Sequence, residues 1–71
     1  MPSFRLSRAA VEKHARLSGD TNNRLISART GLHEATLSHL FSGRRSPSLE
    51  AVMLISTAYG TTVNELLQNA A

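Results

Sequence analysis

Three histidines, a glutamate beside one of them, a scatter of serines and two adjacent arginines are the residues of this chain whose types suggest chemistry. The histidines stand at positions 14, 33 and 39. None lies four residues from another, so no two share a helix face as paired ligands, and there is no cysteine to complete a thiolate site. No metal is expected. Glu34 next to His33 hints at acid–base work, but no second carboxylate, nucleophile–base pair or pocket signature accompanies it. Ser27, Ser38, Ser42, Ser46 and Ser48 read as cap, turn or surface residues with no base to activate them. The sequence therefore offers no catalytic residue and calls for no cofactor or small-molecule ligand. Arg44-Arg45 points elsewhere, because a planar guanidinium fork can hold two phosphate oxygens at once.

Charge is distributed in the same sense. Eight basic residues against five acidic ones leave +3, and seven of the eight are arginine. All eight bases and three acids (Glu12, Asp20, Glu34) fall in residues 1–45, giving +5; residues 46–71 carry only Glu50 and Glu65, giving −2. A basic half joined to a weakly acidic half fits a polyanion-facing side on a scaffold, although ordinary solvating charges would give the same count.

The elements that must position these residues are few. With 71 residues, 41 % of them apolar and 18 % charged, the chain has the composition of one globular domain and room for one core. We expect a single domain over 1–71, soluble and cytoplasmic, with no signal peptide and no apolar run near the roughly 18 residues that cross a bilayer. So short a chain is also small for an enzyme pocket.

Punctuation at Gly19-Asp20, Gly31, Gly43 through Pro47 and Gly60 leaves segments without β-type alternation, so helices are expected throughout. The first, about Ser7 to Leu17, puts Ala10, Val11, His14 and Leu17 on one face and Arg8, Glu12 and Arg16 at successive i+4 positions on another. His14 reads as a half-buried packing residue. Residues 1–6 are expected to be a flexible arm, from which Arg5 could reach a polyanion, and 68–71 a tail. The second helix starts at Asn22, a good N-cap, and runs to Arg29, and Gly31 follows where a left-handed residue would turn the chain. The third runs from Glu34 to Phe41 with Leu37, Leu40 and Phe41 inward and Glu34, Ala35, Ser38 and His39 outward. For the fourth, Ser46 or Ser48 can cap, Pro47 suits the first turn, and Leu49, Val52, Met53 and Ile55 carry the repeat. Thr62-Val63-Asn64-Glu65 is a capping box ahead of Leu66-Leu67. Leu25 and Leu54 either complete the core or form an exposed patch for a second copy or another partner.

Two short helices about a tight glycine turn, over residues 22–41, suggest a helix-turn-helix on spacing alone. The stretch Ile26-Ser27, Thr30-Gly31-Leu32, Thr36-Leu37-Ser38, Leu40 and Gly43-Arg44-Arg45-Ser46-Pro47-Ser48-Leu49-Glu50 resembles the Cro/Xre-type helix-turn-helix family of phage repressors, Cro proteins and small bacterial regulators. So does the tail from Ala58 to Leu67, and the resemblance covers about residues 22–67. It implies an all-α, five-helix, lambda-repressor-like domain that binds double-stranded DNA. The third helix would lie in the major groove, reading bases with His33, Glu34, Ala35, Ser38 and His39. Asn22, Asn23, Arg24, Thr36, Arg44 and Arg45 would meet the DNA backbone.

The sequence departs from that pattern in four places, at five residues. His33 occupies an N-cap position that prefers Ser or Thr, so Thr30 could substitute for it. Phe41 stands where many members place a glutamate paired with a first-helix arginine. Leu25 and Leu54 fall at positions usually polar, and Ser27 replaces a small alanine with a hydroxyl that needs a partner. The resemblance implies a small transcriptional regulator, a repressor acting by operator occupancy, with a weak homodimer on DNA. An antitoxin or an excision or partition factor would use the same surface, and a protein–protein module that reads no DNA is a rival of another class. RNA binding fits less well, since Phe4, Phe41 and Tyr59 are the only aromatic residues.

Overall fold

Four N-caps set where the helices begin. A computed structural model describes residues 4–69, in the order β1 (Phe4–Leu6), α1 (Arg8–Leu17), α2 (Asn23–Thr30), α3 (Glu34–Phe41), α4 (Leu49–Tyr59), α5 (Val63–Leu66) and β2 (Leu67–Asn69). Ser7 accepts from the Ala10 amide at 3.2 Å, Asn22 from Leu25 at 2.9 Å, Ser48 from Ala51 at 3.0 Å and Thr62 from Glu65 at 3.3 Å. Each bond satisfies an amide that a helix start leaves without an intrahelical acceptor. Pro47 precedes the α4 cap rather than opening the helix, since Ser48 holds the cap position. The Thr62 box is half made: the Glu65 carboxylate turns to Thr61 Oγ1 at 2.7 Å and His14 Nε2 at 3.1 Å instead of folding back on the Thr62 amide.

One core unites the helices. Val11 and Ala15 of α1, Ile26 of α2, Leu37, Leu40 and Phe41 of α3, Ala51, Val52 and Ile55 of α4 and Leu66 of α5 are all buried. Two leucines assigned inward by periodicity are not part of it. Leu17 closes α1 with 78 % of its surface exposed, and Leu49 opens α4 with 76 % exposed. Both occupy the terminal turns of their helices, and Met53, also counted in the α4 repeat, is 48 % exposed in mid-helix.

The ends of the chain correct the reading of a free arm and tail. Residues 4–6 and 67–69 pair as an antiparallel ribbon with Phe4 opposite Asn69, Arg5 opposite Gln68 and Leu6 opposite Leu67. Leu6 is fully buried, and the Ser7 amide donates to the Leu66 carbonyl at 2.7 Å. Burial of one leucine is worth about 1.5–3 kcal/mol, and it draws the strand onto the core. The rest of the expected arm and tail, residues 1–3 and 70–71, lies outside the described residues. The fold is all-α in its helices with this short ribbon closing it.

Candidate nucleic-acid interface

The turn between α2 and α3 is fixed by its own hydrogen bonds. Gly31 has φ +83°, and a Cβ there would meet no heavy atom within 4 Å, so backbone conformation rather than crowding calls for glycine. Its amide donates to the Ser27 carbonyl at 2.8 Å. Ser27 Oγ donates to the Leu32 carbonyl, which gives that hydroxyl its partner. Thr30 Oγ1 donates to the Ile26 carbonyl at 2.8 Å and accepts from the Leu32 amide at 3.3 Å. Thr30 thus secures the turn and does not cap α3. His33 holds the cap position in extended conformation with no side-chain cap bond, and Glu34 in the first turn complements the helix dipole.

The inward face of α3 anchors it and the outward face is free. Leu37, Leu40 and Phe41 are buried, whereas His33, Glu34, Ala35 and Ser38 are exposed and Thr36 and His39 are half-buried. The last turn is tied from several sides. Ser42 Oγ and the Arg44 amide both donate to the His39 carbonyl, at 3.1 and 3.0 Å. Arg5 Nη2 donates to the Phe41 carbonyl at 3.1 Å, and the Arg8 guanidinium lies 5.8 Å from the Phe41 ring centroid. Cation and aromatic ring stand where the related pattern has an ion pair.

Not every base counted in the sequence is available to a polyanion. Arg5 is tied to α3, Arg8 pairs with Glu12 at 2.7 Å, and Arg29 is committed to Asp20. Arg24, Arg44 and Arg45 are exposed, and none takes part in the ion pairs formed among the described residues. Asn22 and the half-buried Asn23 line an open cleft of about 530 Å³ together with Arg8 and Arg16. The backbone-contact candidates therefore fall into two groups, one at the start of α2 and one just after α3, with the half-buried Thr36 on α3 itself.

Asp20 is the site residue that sequence reading missed. Only 7 % exposed, it accepts from Arg29 Nε and, at 3.3 Å, from Arg29 Nη2, and the Tyr59 hydroxyl donates to it at 2.7 Å. The Arg29 hydrogen bonds, then that of Tyr59, hold its carboxyl below the usual range. Burial, then the bond to Asp20, pushes the Tyr59 hydroxyl upward. Arg29 also donates to the Ser18 carbonyl at 3.3 Å, so the triad locks the α1–α2 connection to α2 and α4. On the opposite side of α1, His14 is half-buried against Glu65, whose carboxyl is lowered first by Thr61 and then by His14.

Leu25 is half-buried on α2 and Leu54 is 37 % exposed on α4. The larger apolar exposure lies elsewhere, at Leu17, Leu49, Phe4 and Met53. Among the described residues no three His, Asp or Glu side chains are grouped to hold a metal ion, and no helix is long and apolar enough to cross a membrane.

The chain matches the family model described as helix-turn-helix over residues 13–66, more than half of its length. Neither the curated proteins nor the solved structures compared with it provide a match.

Proposed function

The chain belongs to the Cro/Xre-type helix-turn-helix family of DNA-binding regulators, and from that footing we propose that it represses transcription by occupying an operator that overlaps a promoter. Base edges are read by His33, Glu34, Ala35, Ser38 and His39 from α3 in the major groove. Glu34 accepts from a cytosine amino group, Ala35 meets a thymine methyl, and His39 bonds a purine edge. Asn22, Asn23 and Arg24 at the start of α2, with Thr36, Arg44 and Arg45, hold the phosphates. Two copies on a two-fold site, with half-sites about 34 Å apart, supply the affinity that one small surface lacks. Such a regulator works in the cytoplasm, on the DNA of a bacterium or of a phage-infected host.

One observation carries this reading: the outward side of α3 is mostly polar and exposed while its inward side is buried, and two arginines that take part in no ion pair among the described residues stand in the loop after it. Blocking is the simplest action for a surface that carries recognition and little else. In vitro transcription tests it. With the preferred duplex placed across a promoter, saturating protein should abolish run-off product; undiminished transcript at full occupancy would overturn repression by blocking.

A further inference from the structure

Arg5 lies half-buried on β1, opposite Gln68 of β2, with its guanidinium turned onto the end of α3. Nη2 donates to the Phe41 carbonyl at 3.1 Å. The planar fork covers Gly43 so closely that an added Cβ would stand 2.8 Å from Cζ, 2.9 Å from Nη2 and 3.0 Å from Nη1. Nε is buried and makes no hydrogen bond among the described residues. A buried donor left without an acceptor is a stability cost, which marks Arg5 as kept for what its fork holds. Beneath the fork runs the basic loop. Two amides tie it to α3, Gly43 to the Leu40 carbonyl at 3.3 Å and Arg44 to the His39 carbonyl at 3.0 Å. Arg45, Ser46 and Pro47 add no backbone hydrogen bond among the described residues. The exposed side chains of Arg44 and Arg45 therefore point where the backbone at Gly43 sends them.

We infer that Arg5 is a positioning residue for DNA binding: without touching DNA, it sets the direction in which Arg44 and Arg45 present their guanidinium groups to the phosphates. The inference rests on the phosphate-clamp reading of those two arginines and adds the residue that aims them. An arginine–phosphate pair draws its strength from geometry. A loop free to swing spreads its arginines over many directions and loses that freedom only on binding, at the expense of affinity. Arg5 removes the loss in advance. Its own support is firm, since the next residue, Leu6, is fully buried in the core and Arg5 itself stands within the ribbon. Direct contact with a phosphate is disfavoured, because Nη2 is engaged by the Phe41 carbonyl and Nε is buried. Lysine would not replace it: an ammonium is a point charge with no flat face to lie on Gly43.

Anisotropy of a labelled duplex across a salt series, well below the melting point of each variant, reads the effect. Arg5→Met should weaken binding about tenfold near physiological salt, the scale of one to two lost phosphate contacts, and flatten the salt slope. Arg5→Lys, the milder change, keeps the charge but not the planar fork, so it should weaken binding as well. In the background of Arg44→Ala/Arg45→Ala neither change should weaken binding further. An additive loss there would show Arg5 acting on DNA directly, and wild-type affinity in either single variant would show that nothing is aimed; each overturns the inference. A merely structural role would lower the melting temperature and leave the slope and the coupling untouched. Backbone amide order parameters, measured by NMR without DNA, keep the inference separable from the clamp reading. In Arg5→Met they should fall at Gly43, Arg44 and Arg45 from the rigid value of about 0.85, while the Gly31 turn keeps its values. Unchanged values in the loop overturn the positioning role even where DNA is bound. A wild-type chain that binds no duplex overturns the clamp reading, and with it the role in DNA binding; a loop loosened by Arg5→Met still shows that Arg5 holds the two arginines.

Discussion

Arg5 and Gly43 are fitted to each other: a Cβ on Gly43 would stand 2.8 Å from Arg5 Cζ, and the same guanidinium donates to the Phe41 carbonyl at 3.1 Å. A strand near the start of the chain thereby braces the end of α3 and the loop that carries Arg44 and Arg45. A cation over the last carbonyls of a helix is favourable for the dipole as well as for the hydrogen bond.

Gly43→Ala should therefore cost more than Gly31→Ala. Both glycines have positive φ, and a side chain there costs about 1–2 kcal/mol. Only at Gly43 must Arg5 also leave Phe41. Thermal denaturation should show melting points lowered by several degrees in both, with the larger fall for Gly43→Ala. In the background of Arg5→Met the excess should vanish. Equal falls in the two single variants would show that Arg5 does not brace the loop.

The pair Arg44→Ala/Arg45→Ala should weaken binding to all duplexes alike. Each lost phosphate contact removes about 0.9 from the salt slope, so the double variant should flatten it by about 1.8. Fluorescence anisotropy across a salt series gives that slope, and an unaltered value would take both arginines off the phosphates.

His39→Ala should act on sequence preference instead. Its carbonyl bonds to Ser42 and Arg44 are backbone features that survive the substitution, so the helix end remains capped. Competition between the preferred duplex and single-base variants should show relaxed discrimination at one or two base pairs, about 1–3 kcal/mol at the preferred site. A uniform loss at every sequence would contradict a base-reading role.

Stability should fall at both ends of the pH range through the Asp20 triad. Asp20 is lowered from 3.8 by Arg29 and Tyr59, so its contribution is present above about pH 4 and lost as pH drops through the folded value. Tyr59 is raised from 10.0, so its contribution is present below about pH 10 and lost as pH rises beyond it. Between the two limits neither group titrates. Melting temperature against pH should show both limbs; Asp20→Asn should flatten the acid one, and an acid limb as steep as the wild type's would exclude Asp20 as its source.

The parts of this molecule that were legible in the sequence are those encoded locally. Asn22, Ser48 and Thr62 cap at a spacing of three residues, Gly31 turns the chain on its own φ, and Leu37, Leu40 and Phe41 mark the inward side of α3. The ribbon was not legible, because two three-residue strands have no period to detect and pair across nearly the whole chain. Asp20 was hidden for the same reason: its partners lie 9 and 39 residues away. Arg5 and Arg29 looked like free charges because a composition count does not see which guanidinium is already engaged. Leu49 and Met53 fitted the α4 repeat, yet both lie on its exposed side.

Selection of bound duplexes from a random DNA library at near-physiological salt tests the outward face of α3 most directly. An enriched consensus of two inverted half-sites is expected, their centres about 10–10.5 base pairs apart. A bound pool as random as the starting library would contradict it.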